Sequence, residues 1–309
     1  MSASDLSAAA GTRRGSRQTP SGHDLARANA HPARTRAVPG LSRGLLAVVL
    51  SLAGVLMVAP IAWVVVQSFE TPSEQFTVPP DWIPAHLSFF SYRTLFNAAP
   101  FVDNLLNSLF VTLAVVLGST LVSVLAAYAF ARFEFPGREV IFVLFLAALT
   151  LPSQVSAVPE FVVVKYLHLL NSQLSLVVPA LIQVIGVFLL RQHFRTIPQE
   201  LIDASAVDGA GRFSVLRHVY VPMSWPAISA VMVITGQYIW NDFFWPLLFI
   251  SNQTRMTAPL ALYNLQQMSG GDVGAVFAGL TVLSLPVLAA FLFMQRRLME
   301  GIGYSGISR

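Results

Sequence analysis

Six long apolar runs decide what this chain can become. They fall near residues 45–67, 106–131, 140–160, 174–191, 226–250 and 275–295. A hydrocarbon core about 30 Å thick takes about 20 apolar residues at about 1.5 Å of helical rise each, and every run is of that order. Lipid cannot satisfy open backbone groups, so spanning segments are helices or strands of a closed barrel. Barrel strands are about 10 residues long and alternate in polarity. These runs are longer and do not alternate. The expected fold class is therefore an all-α membrane protein with six transmembrane helices. Composition agrees: charged residues are 11% of the chain and hydrophobic residues 55%, where a soluble domain carries about 25% charged residues. An ordinary water-soluble enzyme is excluded. The absence of cysteine removes disulfides, thiolate metal sites and cysteine nucleophiles.

The basic residues then orient the spans. Arg13, Arg14, Arg17, Arg27, Arg34, Arg36 and Arg43 precede the first run. Arg132 and Arg138 follow the second, Arg191, Arg195, Arg212 and Arg217 follow the fourth, and Arg296, Arg297 and Arg309 follow the sixth. The opposite side holds Arg93, Lys165 and Arg255. The positive-inside rule puts both termini in the cytoplasm. Topology thus accounts for the net charge of +4, and no nucleic-acid partner is implied.

Residues 1–43 are rich in Ser, Ala, Gly, Pro and Arg and read as a disordered cytoplasmic tail. The tail is too long for a signal peptide, and the apolar run that follows it, Leu45 to Val66, exceeds a signal peptide's core of about 7–15 residues. Residues 44–309 read as the six-helix domain, with an external loop at 68–105 and a cytoplasmic loop at 192–225. Residues 161–173 read as a short external segment, able to lie along the interface as an amphipathic helix.

Several chemistries are missing. The single lysine, Lys165, lies in V-K-Y, so there is no Gly-Lys-Ser/Thr phosphate loop and the chain is not an ATPase. No H-E-x-x-H or G-x-S-x-G occurs, and the six histidines are scattered. No catalytic residue and no metal site are expected.

The loop at 192–225 has internal order. Thr196 and Gln199 have capping-box spacing, with Pro198 in the first turn, predicting a helix from about Ile197 to Val207. Glu200 and Asp203 sit early, where the helix dipole favours negative charge. Gly209 supplies a left-handed stop. A second short helix, about 212–220, is expected to end near Pro222.

This loop resembles the E-A-A motif of binding-protein-dependent ABC importer permeases: E-A-A, three residues, G, nine residues, I-x-L-P. The chain has Asp203-Ala204-Ser205, then Gly209, then Val219-Tyr220-Val221-Pro222. Asp208-Gly209-Ala210 is similar to the carbohydrate-uptake branch. So are N-S-L at 107–109, A-Y-A-F-A-R-F at 127–133, F-P-G-R at 135–138, L-L-R-Q-H-F-R-T-I-P at 189–198 and W-N-D-F-F-W-P-L at 240–247. The likeness is to the maltose-type second permease and the glycerol-phosphate group.

The resemblance implies a coupling helix docked on a dimer of ABC nucleotide-binding subunits, which bind ATP-Mg and hydrolyse ATP. It implies a second permease subunit, an extracellular solute-binding protein and the inner membrane of a prokaryote. The coupling residues would be Glu200, Asp203, Ala204, Ser205, Asp208, Gly209, Ala210 and Pro222. This chain would bind no cofactor of its own.

Polar groups inside the spans mark either a pathway or helix contacts. Gln154, Gln183, Gln237, Tyr238, Asn241 and Asp242 are the candidates, with Asp242 taken as the one acid well inside a run. A substrate path and plain interhelical hydrogen bonding both remain open on these residues. Pro152 and Pro246 are expected to kink their helices. An amino-acid or peptide ABC permease, an ion-coupled secondary transporter and a membrane-embedded enzyme are the rival functions.

Overall fold

A computed structural model of the chain describes residues 40–71, 86–268 and 273–303. Among these residues every regular element is a helix. The chain divides into two compact units, residues 1–57 and 58–309. In the first, the described residues form the opening of α1 (Gly40–Gln67). Side chains from Gly44 to Met57 are all exposed, among them Leu45, Val48, Leu52 and Leu56. Residues 40–43, expected in the tail, are helical. The rest of the tail, and the proline-rich stretch 72–85, lie outside the described residues.

The second unit is built around α3 (Phe101–Arg132). Its pattern is inverted relative to a soluble helix. The buried face carries Asn104, Ser108, Ser119, Thr120 and Ser123 beside Val111, Val115 and Ala127. Leu106, Leu113, Leu117, Leu121 and Leu125 point outward, 45–61% exposed. Small and weakly polar residues let neighbouring backbones approach, while leucines suit lipid. α3 packs most extensively on α7 (Val184–Phe194) and α11 (Trp225–Trp240). All three meet at Gly186, where a Cβ would lie 2.7 Å from Ser123 Oγ and 3.2 Å from Val231 Cγ1. A Cβ there would force the Ser123 and Val231 side chains to give way.

Two hydrophobic cores flank the length of α3. One gathers Phe101, Val111 and Val115 with Leu176, Trp240, Phe249 and Leu260. The other, at its C-terminal end, gathers Val124, Ala127 and Tyr128 with Leu190, Phe194, Tyr220 and Ile228.

Four helical stretches are long and apolar enough to cross a membrane: Gly44–Gln67, Phe101–Arg132, Leu174–Phe194 and Val273–Ala290. Two bent pairs raise the number to six if each counts as one span. The first pair is Arg138–Thr150 with Ser153–Tyr166, bent by 100°; its main helices are α4 (Arg138–Ala147) and α5 (Ala157–Tyr166). Instead of a mild kink there is a full break, because Pro152 forces Leu151 into extended backbone, φ −85° and ψ 126°. The second pair, Arg212–Met223 with Trp225–Trp240, is bent by 77°.

The fifth run also departs from expectation. α11 stops at Trp240, and Pro246 belongs to a separate helix, α12 (Phe244–Phe249). A proline ring clashes with the carbonyl four residues back, here Asp242, so the helix cannot continue through that residue. The fourth run is interrupted between α6 (Leu174–Val177) and α7, where Ile182 and Gln183 are extended. The segment 68–105, expected as a loop, contains α2 (Phe90–Ala98) and the start of α3. The described chain closes with α13 (Ala258–Met268) and α14 (Val273–Gly303).

Candidate functional site

The loop beyond α7 folds as the sequence suggests at its end but not at its start. Its helix, α8, is Gln199–Val207, two residues shorter than expected. The capping box does not form. Thr196 Oγ1 donates instead to the His193 carbonyl at 2.7 Å, and Gln199 Nε2 donates to Asp203 Oδ1 at 2.8 Å. Pro198 takes the cap position with no side-chain acceptor, since its extended ψ of 137° starts the helix immediately after it.

The C-terminus is a complete Schellman stop. Ala210 N–H reaches Ser205 O and Gly209 N–H reaches Ala206 O, both at 3.0 Å. Gly209 has φ +78°, and a Cβ built there would meet no atom within 4 Å. Its requirement is conformational and leaves its surface open.

α8 has no buried residue. Ile202 and Ser205 are half-buried and form its inner face. Glu200, Asp203, Ala204, Asp208, Gly209 and Pro222 are exposed, and Ala210 is half-buried. Three exposed apolar side chains were not singled out from sequence as a docking surface: Leu201, Val207 and Phe213, the last two 88% and 69% exposed. An apolar residue on a polar loop is visible in sequence, but its direction is not.

The second short helix is more irregular than expected. α9 (Arg212–Val215) passes into a π-helical turn, Leu216–Tyr220, and then α10 (Val221–Met223), so Pro222 lies within helical chain. The missing N–H of Pro222 and its ring widen the preceding turn. Tyr220, fully buried, plugs the loop into the second core, in edge contact with Tyr128 and Phe194 at 5.0 and 5.1 Å. Tyr128 OH donates to the Arg212 carbonyl at 3.0 Å.

Arg191 ties this core to the start of α4. Its guanidinium makes two bonds to Glu139, at 2.7 and 2.8 Å, and Nε donates to the Phe130 carbonyl at 3.2 Å. The charge also lies 3.8 Å from the centre of the Phe142 ring. Arg138 joins Glu139 at 3.1 Å and donates to the Phe133 carbonyl. Three family-like motifs, at 127–133, 135–138 and 189–198, therefore converge beneath the loop. From sequence Arg191 counted toward topology and toward the 189–198 motif; its pairing needs the fold.

The candidate pathway residues separate. Gln183, Tyr238 and Asp242 line one cavity of about 200 Å³, together with Ser175, Trp245 and Thr257. Gln154, Gln237 and Asn241 are exposed and do not line it, and Asn241 Nδ2 instead donates to the Gln237 carbonyl at 2.8 Å. Asp242 is not the sole acid: Glu160 of α5, at the edge of the third run, lines the same cavity. Two of the helix breaks meet here. Gln183 stands at the α6–α7 break and donates to Ala180 O, and Asp242 stands at the α11–α12 break. Asp242 Oδ1 accepts from the Phe244 and Trp245 N–H groups, at 3.1 and 3.5 Å, which caps α12. Irregular backbone at membrane depth is tolerated where it lines a cavity. Among the described residues no group of three or more His, Asp or Glu could hold a metal.

The N-S-L motif serves the other end of α3. Asn107 Nδ2 donates to the Thr254 and Met256 carbonyls, at 2.9 and 3.1 Å, and Ser108 Oγ accepts from Ala258 N–H at 2.8 Å. Asn104 Nδ2 donates to Gln253 O and Met256 O at 2.7 and 3.0 Å.

Residues 119–302 match the family model described as the binding-protein-dependent transport system inner membrane component. The chain is 32% identical over 257 residues to the diacetylchitobiose uptake system permease protein NgcG of Streptomyces coelicolor, covering 82% of this chain and 85% of that protein. It is 29% identical to the arabinooligosaccharides transport system permease protein AraQ of Bacillus subtilis, covering 72% and 80%. It is 35% identical to the sn-glycerol-3-phosphate transport system permease protein UgpE of Yersinia enterocolitica, covering 67% and 74%. Among solved structures, a bacterial ABC transporter involved in the import of the acidic polysaccharide alginate superposes with a TM-score of 0.71 at 20% identity, covering 83% of this chain and 96% of that one.

Proposed function

Because the chain belongs to the family of binding-protein-dependent transport system inner membrane components, we propose that it is a permease subunit of an ATP-driven importer for a sugar or a related polyol or sugar phosphate. The observation that carries this is the exposed, Schellman-stopped helix α8, seated on a rigid aromatic and ionic base. Such a helix passes on a push from a partner; a floppy loop would absorb it.

In this reading the chain spans the membrane six times, with both termini in the cytoplasm; Arg138–Thr150 and Ser153–Tyr166 together make one span, and of the second bent pair only Trp225–Trp240 lies in the membrane, with Arg212–Met223 in the cytoplasmic loop. Residues 1–43 form a tail and 44–309 the transmembrane domain. The loop at 192–225 is the coupling loop, and Glu200, Asp203, Ala204, Ser205, Asp208, Gly209, Ala210 and Pro222 face or shape the docking surface. A dimer of nucleotide-binding subunits holds ATP-Mg and performs the hydrolysis. A second permease completes the pathway, and an extracellular binding protein delivers the solute. The cavity at Gln183, Tyr238 and Asp242 is this chain's share of the route; support comes from its two helix breaks and its mixed polar and aromatic lining. Gln154, Gln237 and Asn241 belong to the rim of the route or to contacts with the second permease.

Gly209→Asp tests the coupling assignment. Asp tolerates positive φ better than most residues, and no atom of this chain opposes it, so the subunit should fold. A charge on the docking face should lower uptake at least ~10-fold, a loss of about 1.4 kcal/mol of coupling, while the membrane assembly persists. Normal uptake by this variant would end the coupling-loop reading. The relatives' names cover an acetylated amino-sugar dimer, arabinose oligomers and a phosphate ester, so names alone leave the solute's charge open.

A further inference from the structure

We propose that the cavity between the helix breaks admits uncharged or amino-bearing sugar units and rejects phosphate- and carboxylate-bearing ones. The proposal rests on reading the cavity as part of the solute route.

The lining decides the sign. Glu160 and Asp242 are both on the cavity wall, and no Lys, Arg or His is among the lining residues. Asp242 Oδ1 accepts from the Phe244 and Trp245 N–H groups, which holds the carboxylate at the cavity wall. A like charge within about 5 Å, at an effective dielectric of about 20, disfavours an entering anion roughly 100-fold. Phosphate recognition would instead call for Arg, Lys or a cluster of backbone N–H groups.

The rest of the lining suits polyhydroxy rings. Thr257, a lining residue, is 6% exposed, and its buried Oγ1 has no hydrogen-bond partner within this chain. A buried hydroxyl is normally paired, and a sugar hydroxyl is a partner of the right kind. Gln183 brings an amide, and Tyr238 and Trp245 bring flat rings with a polar edge. Trp245 is stacked on Phe249 with centroids 5.5 Å apart, which fixes its plane. The volume of about 200 Å³ is on the scale of one ring, so an oligomer would pass unit by unit.

The chain has no cysteine, so Tyr238→Cys places a single thiol on the cavity wall. In the assembled importer, that thiol should react at least ~10-fold faster with a cationic methanethiosulfonate, the ethyltrimethylammonium reagent, than with the anionic ethylsulfonate reagent. Mass spectrometry of this chain gives both rates. The ratio should fall toward that of a free thiol when Glu160→Gln and Asp242→Asn are added. Equal rates before neutralisation, or an unchanged ratio after it, overturn the proposal.

Uptake by proteoliposomes of the complete importer gives the second arm. One pool holds neutral and amino oligosaccharides from cellulose, xylan, arabinan and chitosan digests. The other holds uronate oligomers and sugar phosphates. Entry from the first pool alone is expected; entry of acidic species, or of neither pool, overturns the charge rule. Full modification at Tyr238→Cys should block whatever uptake exists. If uptake survives it, the route reading fails instead, whatever the rate ratio.

Discussion

The two ends of α3 hold their neighbouring loops by different means. At the N-terminal end, residues 251–258 are fixed bond by bond. Asn104, Asn107 and Ser108 grip the backbone from 253 to 258. Asn171 Oδ1 accepts from the Ser251 and Asn252 N–H groups, and Arg255 donates back to the Asn171 carbonyl at 2.6 Å. At the C-terminal end, the loop carrying α8 is held mainly by apolar packing: Ile197, Val215, Leu216 and Tyr220 in the core with Ile202 of α8 against it, Tyr128 on Arg212, and the Arg191 pair beneath. α8 itself gives its own chain only the half-buried inner face of Ile202 and Ser205. A loop satisfied by its own subunit has little left to offer a partner. A loop satisfied only at its base keeps its backbone stop, its acids and its apolar side chains for one.

The comparison breaks hardest at Arg191. Its side chain is 4% exposed while Glu139 is 57% exposed. Arg191→Ala removes the two bonds to Glu139, the bond to Phe130 O and the cation–ring contact with Phe142 together, costing about 2–3 kcal/mol of stability at the root of the loop. Thermal unfolding in detergent should show it. Arg191→Lys keeps the charge but loses the second nitrogen that bonds Phe130 O and the planar group over Phe142, so it should recover only part of that loss. If Arg191→Ala unfolds like the parent protein, the loop does not depend on this base.

Asn104→Ala strikes the opposite end with a somewhat smaller effect. It removes the fully buried Asn104 amide, leaving the Gln253 carbonyl without this donor and Met256 O with Asn107 alone, worth about 1–2 kcal/mol. Amide hydrogen exchange should rise across 251–258 and stay unchanged across 199–210. Faster exchange in both loops would mean the two ends of α3 are not separately held.

Much of this contrast was legible in the sequence, and the missing parts have physical causes. Four of the six runs coincide with helical stretches long and apolar enough to cross a membrane, since bilayer thickness sets element length. The Gly209 stop was readable because only a few residues accept positive φ. The start of α8 was misread because Pro198 takes the cap position and Thr196 turns its hydroxyl back to the His193 carbonyl, a local geometry no spacing rule reveals. The helix breaks were read as kinks because proline's effect depends on whether neighbours re-satisfy the freed backbone; here Asp242 caps a new helix instead. The Arg191–Glu139 pair spans 52 residues, and Glu160 reaches the Asp242 cavity only because α5 folds back after Pro152. Contacts of that range carry no local signal.

The smallest expected effect on stability is the most telling. Val207 and Phe213 touch the loop only at its surface, so Val207→Ser with Phe213→Ser should change stability by about 0.5 kcal/mol or less. A Schellman-stopped helix with nothing buried does not need these side chains to fold. If α8 is the surface on which a nucleotide-binding subunit sits, the same pair should cost that contact its apolar share. Losing two large apolar anchors at an interface costs about 1–2 kcal/mol each, which weakens capture of the ATPase subunit ~10-fold or more. Purification of the tagged chain in mild detergent, with the ATPase stoichiometry read by mass spectrometry, separates the two quantities. Unchanged stoichiometry alongside unchanged stability would move the docking surface away from Val207 and Phe213, toward the acidic face of Glu200, Asp203 and Asp208. A loss of stability instead would mean that these side chains pack on their own chain, and that the two ends of α3 are more alike than their hydrogen bonds suggest.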